Sequence, residues 1–529
     1  MKKFTLPLII LILTFSLLLI PNRRAQAALC TSNGSGNWTN PTTWAGCGGN
    51  YPGQTTNDYV QILSGHTVTV DNNIPAIYYL EIQNGGAVVM NSSTSLAFSA
   101  SGGTPGMSLA SGGSFTMPAD ATIYFNTTYG SAGHTISGSF SFSKIHITGV
   151  GVNFGSNSTV TGELVINLGG FVSTNAPTYA NNSTLRYNTG GTYVVGSEWF
   201  ANVDTGQGVP FNVVATASTS LTFGTANRTL RGDLTLENSS TLNGASGHTL
   251  KVLGSVNTLT SSTLNAPNLL EVGGNWNLNN GTFNHNSKTV KFNGSAPQQI
   301  VDTSYTTSFY DLEIAAGSTL IVSNPSSTDM DVINQITNNG TLQQTLYVAT
   351  GDTVDFLNID DGIGNMKYWG LTIYEYPDQF DMQNTTVKIR GNSVCTTNDT
   401  SGHVHRCFDI SPTTTANAEV TFYYLESERN SNTSSDVSVW HWSGGSWQKE
   451  TGTHTYGIIS PDYYSVTVDD VDNYSPFLLD DVNPGSPTAI TLNKFTAQTV
   501  PISAWVFARG LGMAALLLGG LAALRRKRG

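Results

Sequence analysis

Between Leu269 and Val322 the apolar residues come in very short alternations, Leu270-Glu271-Val272, Trp276-Asn277-Leu278, Thr289-Val290-Lys291-Phe292, Gln299-Ile300-Val301 and Leu312-Glu313-Ile314, each cut off by Gly, Asn or Ser. A period of two sustained for three to five residues and then broken by turn formers specifies strands and leaves no room for an amphipathic helix. A spacing also recurs, a Leu with aliphatic residues two and eight positions later, at Leu80/Ile82/Val88, Leu164/Ile166/Val172, Leu234/Leu236/Leu242, Leu270/Val272/Leu278 and Leu312/Ile314/Leu320. A weak repeat of strand, small-residue turn and strand is the pattern of a β-solenoid, whose coils bury their apolar side chains against the coils above and below. The five instances begin at Leu80, Leu164, Leu234, Leu270 and Leu312, so the intervals between them are unequal. The expected fold is therefore all-β, a right-handed parallel β-helix with coils of uneven length.

Composition supports this reading. Only 11% of the 529 residues are charged and 55 are Gly, yet strand-forming triplets continue almost throughout, which favours a turn-rich β-protein over disorder. Both ends carry targeting patterns. Lys2 and Lys3, the apolar run from Leu6 to Ile20 and Ala25-Gln26-Ala27 form a secretory signal peptide over 1–27. Leu29 stands where lipid attachment needs a small residue, so Cys30 is read as a disulfide partner. Residues 1–27 and 501–529 hold four and five basic residues and no acidic ones, so without them the formal charge of −12 becomes −21. Such an acidic surface repels nucleic acid and anionic lipid. Four cysteines in an exported chain point to disulfides; of three connectivities the local one is expected, Cys30 with Cys47 and Cys395 with Cys407, each worth roughly 3 kcal/mol.

Gly36-Asn37-Trp38, Pro41-Thr42-Thr43-Trp44, Tyr51-Pro52-Gly53 and Gly65-His66-Thr67-Val68-Thr69-Val70-Asp71 resemble the opening of many secreted bacterial β-helix proteins, adhesin-like repeat proteins of the cell surface. Trp38 and Trp44, with a Cys30–Cys47 bridge, are expected to plug the open end of the solenoid; the alternative is a platform on which sugars stack. The blocks Thr184 to Leu236 and Val290 to Leu312 are similar to recurring segments of such proteins, and Cys407-Phe408-Asp409-Ile410 with the Trp440 to Trp447 hairpin resembles a module at their C-terminal ends.

Near residue 350 the turn rhythm weakens, and the strands from Leu371 to Asp481 are longer and more aromatic, as an antiparallel β-sandwich requires. The last residues resemble the tails processed by exosortase-like membrane proteases, nearest the variants that begin Ile-Pro-Thr-Leu: Val500, Pro501 and Trp505 in the motif, an apolar stretch from Gly510 to Leu524, and the basic stop Arg525, Arg526, Lys527 and Arg528. The tail lacks Pro-Glu-Pro, and Arg509 interrupts its apolar part. The alternative is a plain transmembrane anchor, for which about 20 apolar residues are usual. The resulting plan is signal peptide 1–27, β-solenoid 28–350 with cap and first coils at 28–75, β-sandwich 351–485, linker 486–500 and sorting or transmembrane tail 501–529.

Chemistry-bearing patterns are sparse. Between Asn91 and Leu230 the ionisable residues are Asp120, Lys144, Glu163, Arg186, Glu198, Asp204 and Arg228, with His134 and His146. Asp352, Asp355, Asp360 and Asp361 lack the spacing of a calcium loop and are read as a solvated acidic junction. His403, His405 and Cys407 alternate on one strand face, but a disulfide claims Cys407. Arg231-Gly232-Asp233 falls at a turn before a strand, and no Gly-x-Ser-x-Gly or phosphate loop is present. The expectation is a non-catalytic structural or adhesive protein of the bacterial cell surface, with no cofactor and no metal. Its expected partners are surface or matrix glycans or proteins, the membrane through its tail, and a sorting protease. Two alternatives stand beside it: a polysaccharide lyase or hydrolase on the same scaffold, and a glycan-binding module in residues 371–481 with Trp440, Trp442 and Trp447 as stacking residues.

Overall fold

The computed structural model describes residues 28–482 apart from 55–57, 101–104, 128–132, 303–306, 323–329, 378–379, 393–394, 396–401 and 475. Residues 1–27, read above as a signal peptide, and the whole tail, including Val500, Pro501, Trp505 and Arg525 to Arg528, lie outside the described residues. Among the described residues no helix is long and apolar enough to cross a membrane.

A parallel β-solenoid and antiparallel sheets at its C-terminal side make up the fold. In the middle coils three ladders run side by side. The first stacks Val213, Leu234, Val256, Trp276 and Ile300 in register. The second stacks Leu221, Leu242, Leu264 and Phe283. The third stacks Leu250, Leu270, Val290, Leu312 and Ile336. Coil length, the separation between successive members of a ladder, is uneven: the step from Leu264 to Phe283 is short, and those from Trp276 to Ile300 and Leu312 to Ile336 are longer. The strands of the third ladder alternate, with side chains such as Leu270 and Val272 fully buried and Leu269 and Glu271 outside. The chain turns at corners where Asn238, Ser239, Ser261, Asn280, Asn286 and Ser287 take positive φ, so the Asn and Ser punctuation is a conformational requirement.

The recurring Leu-based spacing turns out to mark a corner, two inward residues of one strand and an inward residue of the next. Leu270/Val272/Leu278 and Leu312/Ile314/Leu320 round the corner from the third ladder to the first, whereas Leu234/Leu236/Leu242 rounds the one from the first to the second. The motif samples different corners and skips coils, which accounts for its unequal intervals. Leu270 and Leu312 are two coils apart, with Val290 between them.

The N-terminal end is closed. Leu29–Ser32 pairs in parallel with Asp58–Ile62 and antiparallel with Trp44–Ala45. Trp38 and Trp44 are buried, their rings 5.0 Å apart, and their indole N–H groups donate to Pro52 O and Trp38 O. With the Cys30–Cys47 disulfide beside them, they plug the core and present no sugar platform. At the other end Thr341–Val348 pairs in parallel with Thr319–Val322 on one edge and antiparallel with Gln383–Gly391 on the other. The last solenoid strand is thus also a strand of the antiparallel region. That sheet continues through Arg406–Pro412, Pro476–Asp480, Ser438–Ser443 and Ser446–Lys449. It faces a second sheet ordered Thr353–Phe356, Leu371–Glu375, Ala418–Leu425, Tyr463–Val471 and His454–Ser460. Phe408, Phe422 and Phe477 meet between them.

Candidate functional site

The three tryptophans of the hairpin do not form an open platform. Trp440 and Trp447 are only 8% and 6% exposed and pack, with Leu478, on the Cys395–Cys407 disulfide in a small second core. Trp440 donates its indole N–H to Asp480 O, and Trp442 meets Trp447 edge to face at 5.3 Å. A sugar ring needs an exposed aromatic face. Of the three, only the half-buried Trp442 offers part of one. The disulfide likewise takes Cys407 out of reach of a metal, and among the described residues no group of three or more His, Cys, Asp or Glu is arranged to hold one. The acidic junction is consumed locally: Asp361 accepts from the backbone of Ile363 and Asn365, and Thr372 donates to Asp355. Arg231-Gly232-Asp233 is built into the wall, with Arg231 donating to Asn181 and Tyr179, and Asp233 accepting from Ser255 N.

Register brings together what the sequence scatters. On the outer face Glu163 lies 3.6 Å from Lys144 and 2.5 Å from Arg186, whose other arm reaches Glu237 at 3.0 Å. Lys251, Glu271, Lys291 and Glu313 stand in one row of alternating sign, closed at one end by a 2.9 Å Lys291–Glu313 pair. Amides form comparable rows: Asn284 donates to Asn265 and Asn265 to Asn243, and Asn277 donates to Asn257, at 2.7 to 2.8 Å. These ladders give the outer face rows of matched polar groups between residues 243 and 313, each running over two to four coils.

Inside the solenoid the segment after Thr192–Val194 folds inward and buries Glu198 and Trp199. Glu198 accepts from Gly196 N at 2.8 Å and Tyr187 Oη at 3.2 Å, and burial raises its carboxyl above the usual glutamate range. Arg228 is nearby but donates to the carbonyls of Trp199 and Val195. A raised carboxyl is often a mark of catalysis. Here the acid is fully buried among Tyr179, Tyr187 and Tyr193, out of reach of a substrate.

The surface also carries a built depression, a groove of about 660 Å³ lined by Ser64, Glu81, Gln83, Asn84, Ser108 and Ser137, with Leu109 and Ala110. Its origin is a step in side-chain size between coils. One outward row runs Gln61, Glu81, Ser108, Ser137, and the row two residues before it runs Tyr59, Tyr79, Gly106, Thr135. Large residues on two coils give way to Gly106 and Ser108 on the next. Glu81, which lines the groove, is held in place: Tyr59 Oη and Gln61 Nε2 both donate to Glu81 Oε2, at 2.7 and 3.2 Å, and the Tyr59 ring stacks on that of Tyr79 at 5.0 Å. No signal within a short window could have found this site, because Ser64, Glu81, Ser108 and Ser137 lie on successive coils, far apart in the chain, and meet only through coil register. No protein-family model, curated protein or solved structure matches the chain, so its function is argued from this geometry.

Proposed function

We propose that this protein is a non-catalytic structural or adhesive component of the bacterial cell surface, exported and then retained or processed through its C-terminal tail, with surface or matrix glycans or proteins as its partners. The observation that carries the reading is the outer face between residues 243 and 313, where rows of Asn and paired ions find their partners on the next coil. Such a face is suited to extended polar contact and has little to offer a reaction. Glycoside hydrolysis uses two acids flanking one bond. The groove supplies a single carboxylate, Glu81.

Two measurements on the protein from its native cells test this. Labelling intact cells with a membrane-impermeant reagent, followed by intact-mass analysis, is expected to find the chain at the surface without residues 1–27. Recovery only from the cell interior overturns the reading. Incubation with a panel of polysaccharides is expected to leave chain length unchanged; new reducing ends or unsaturated products would establish the lyase or hydrolase alternative instead.

A further inference from the structure

We infer that the edge strand His454–Ser460 pairs with the same strand of a second copy of this chain, antiparallel about a two-fold axis at Gly457. The inference goes beyond the surface reading and does not depend on it.

A sheet edge exposes unpaired N–H and C=O groups, and charged side chains usually guard it. In the antiparallel sheets the outermost strand Thr353–Phe356 carries Asp355, and Ser446–Lys449 ends on Lys449. His454–Ser460 is the last strand of its sheet and, among the described residues, pairs only with Tyr463–Val471. It carries no Asp, Glu, Lys or Arg, and Val439 N–H donates to His454 Nε2, so that ring is neutral. Its Tyr456, Ile458 and Ile459 are 43%, 74% and 41% exposed. Tyr456 stands opposite Val466, which is fully buried. Opposite residues share a face, so Tyr456 and, two positions on, Ile458 lie on the core face of the sheet, at a place the facing sheet leaves uncovered.

The backbone fixes how a partner strand would add. Thr453 O accepts from Asp469 N, on the side of Tyr463–Val471. N–H and C=O groups alternate in direction along a strand, so Thr455 and Gly457 also turn theirs to that neighbour, and Tyr456 and Ile458 turn theirs to the open edge. A two-fold axis at Gly457 then sets Tyr456 against the partner's Ile458 and Ile458 against the partner's Tyr456, each pair exchanging two backbone hydrogen bonds. Two glycines meet at the centre, where the strands approach most closely and side chains would crowd. Both flanking pairs join an aromatic to a β-branched side chain, a favourable combination across strands. An unrelated extended peptide could take the same hydrogen bonds, but the strand's own sequence supplies apolar groups at the two positions that need covering. One patch serves both copies, so the contact closes on itself at the dimer. Two seven-residue strands bury less than the ~1,200–2,000 Å² of a standard stable interface, so the dimer is weak and reversible.

Sedimentation velocity on the full chain between about 1 μM and 300 μM is expected to show monomer passing to dimer and no larger species. Ile458→Glu and Tyr456→Lys alter exposed side chains, and unchanged melting curves certify the folds. Each variant alone sets a charge against an apolar group in both flanking pairs and is expected to weaken association by about tenfold or more. Mixed together, the two variants should associate again, because the axis places position 458 of one chain against position 456 of the other and so pairs the introduced charges. Leu168→Glu, at a site 72% exposed in the solenoid, is expected to leave association unchanged. A chain that stays monomeric throughout, oligomers that grow past the dimer, a dimer undisturbed by either variant, or a mixture that remains monomeric overturns the pairing. Hydrogen exchange at the Tyr456 and Ile458 amides should slow as concentration rises; exchange already slow in the monomer would show that another segment covers the edge, and overturns the pairing as well.

Discussion

The solenoid and the sandwich each bury a carboxylate, and they do so in opposite ways. In the sandwich Glu428 is met by Arg406, Nε to Oε2 at 2.8 Å, and the guanidinium also donates to Trp369 O and Tyr423 O and lies 4.5 Å over the Tyr368 ring. In the solenoid Glu198 is held by a backbone N–H and a tyrosine hydroxyl, while Arg228 spends its donors on carbonyls. The antiparallel region brings distant segments together from both sides and can close a charge pair inside. Around Glu198 the coil supplies neutral donors, from the inward segment itself and from Tyr187 of the strand before it, and the nearby Arg228 is spent on carbonyls.

The largest expected effect follows from removing one partner of the sandwich pair. Arg406 and Glu428 are 0% and 3% exposed, so Arg406→Met strands a buried carboxylate and deprives two carbonyls of a donor. A loss of about 3–5 kcal/mol is expected by denaturant unfolding. Adding Glu428→Leu should recover most of it. If Arg406→Met alone costs under about 1 kcal/mol, the pair is not the closed unit described, by the same reasoning.

A solenoid defect should be smaller and local. Leu270 sits in the ladder between Leu250 and Val290, fully buried. Leu270→Ala is expected to cost about 3 kcal/mol. Because each coil touches mainly its neighbours, faster hydrogen exchange should be confined to the adjoining coils and leave the sandwich protected. Uniform acceleration across both regions would show that they unfold as one cooperative unit.

Glu198 gives the solenoid a pH dependence that a single substitution can isolate. Burial raises its folded carboxyl above the 4.5 of an exposed glutamate. The folded state therefore takes up the proton first as pH falls, and the stability this group contributes is fully present below 4.5 and lost as pH rises through the raised folded value. Glu198→Gln should remove that slope, so that wild type minus variant becomes less favourable toward neutral pH. A flat difference between pH 4 and 8 would contradict it.

How much of this was legible in the sequence depends on distance along the chain. The alternation Leu270-Glu271-Val272 and the turn formers beside it declare strands and corners within a few residues, and Cys30 with Cys47 or Cys395 with Cys407 are near enough for local pairing to be the natural choice. Trp440 and Trp447 looked like a platform because aromatic residues on a strand carry no mark of which face a disulfide loop will cover. Lys144, Glu163 and Arg186 read as scattered charges, yet one chain of ion pairs joins them and continues to Glu237. The step at Gly106 and Ser108 was hidden for the same reason. Coil length is not constant, the step from Leu264 to Phe283 being shorter than that from Leu312 to Ile336, so no fixed offset tells which residues will be neighbours.

The smallest effect belongs to the outer charge row, and it completes the contrast with the Arg406 pair. Lys291 and Glu313 are 2.9 Å apart but 27% and 28% exposed, so water screens the pair and little desolvation has been overcome to form it. Lys291→Met should cost only about 0.5 kcal/mol. Lys291→Glu sets its carboxylate between Glu271 and Glu313, at the ~4.8 Å strand spacing from each, and should cost about twice that at low ionic strength. Both penalties should fade toward zero in about 1 M salt, where screening acts within roughly 3 Å, while the Arg406→Met penalty persists. If the Lys291 variants keep their full cost in salt, the ladder supports the coil through packing of the lysine stem, and charge alternation is not what holds that face together.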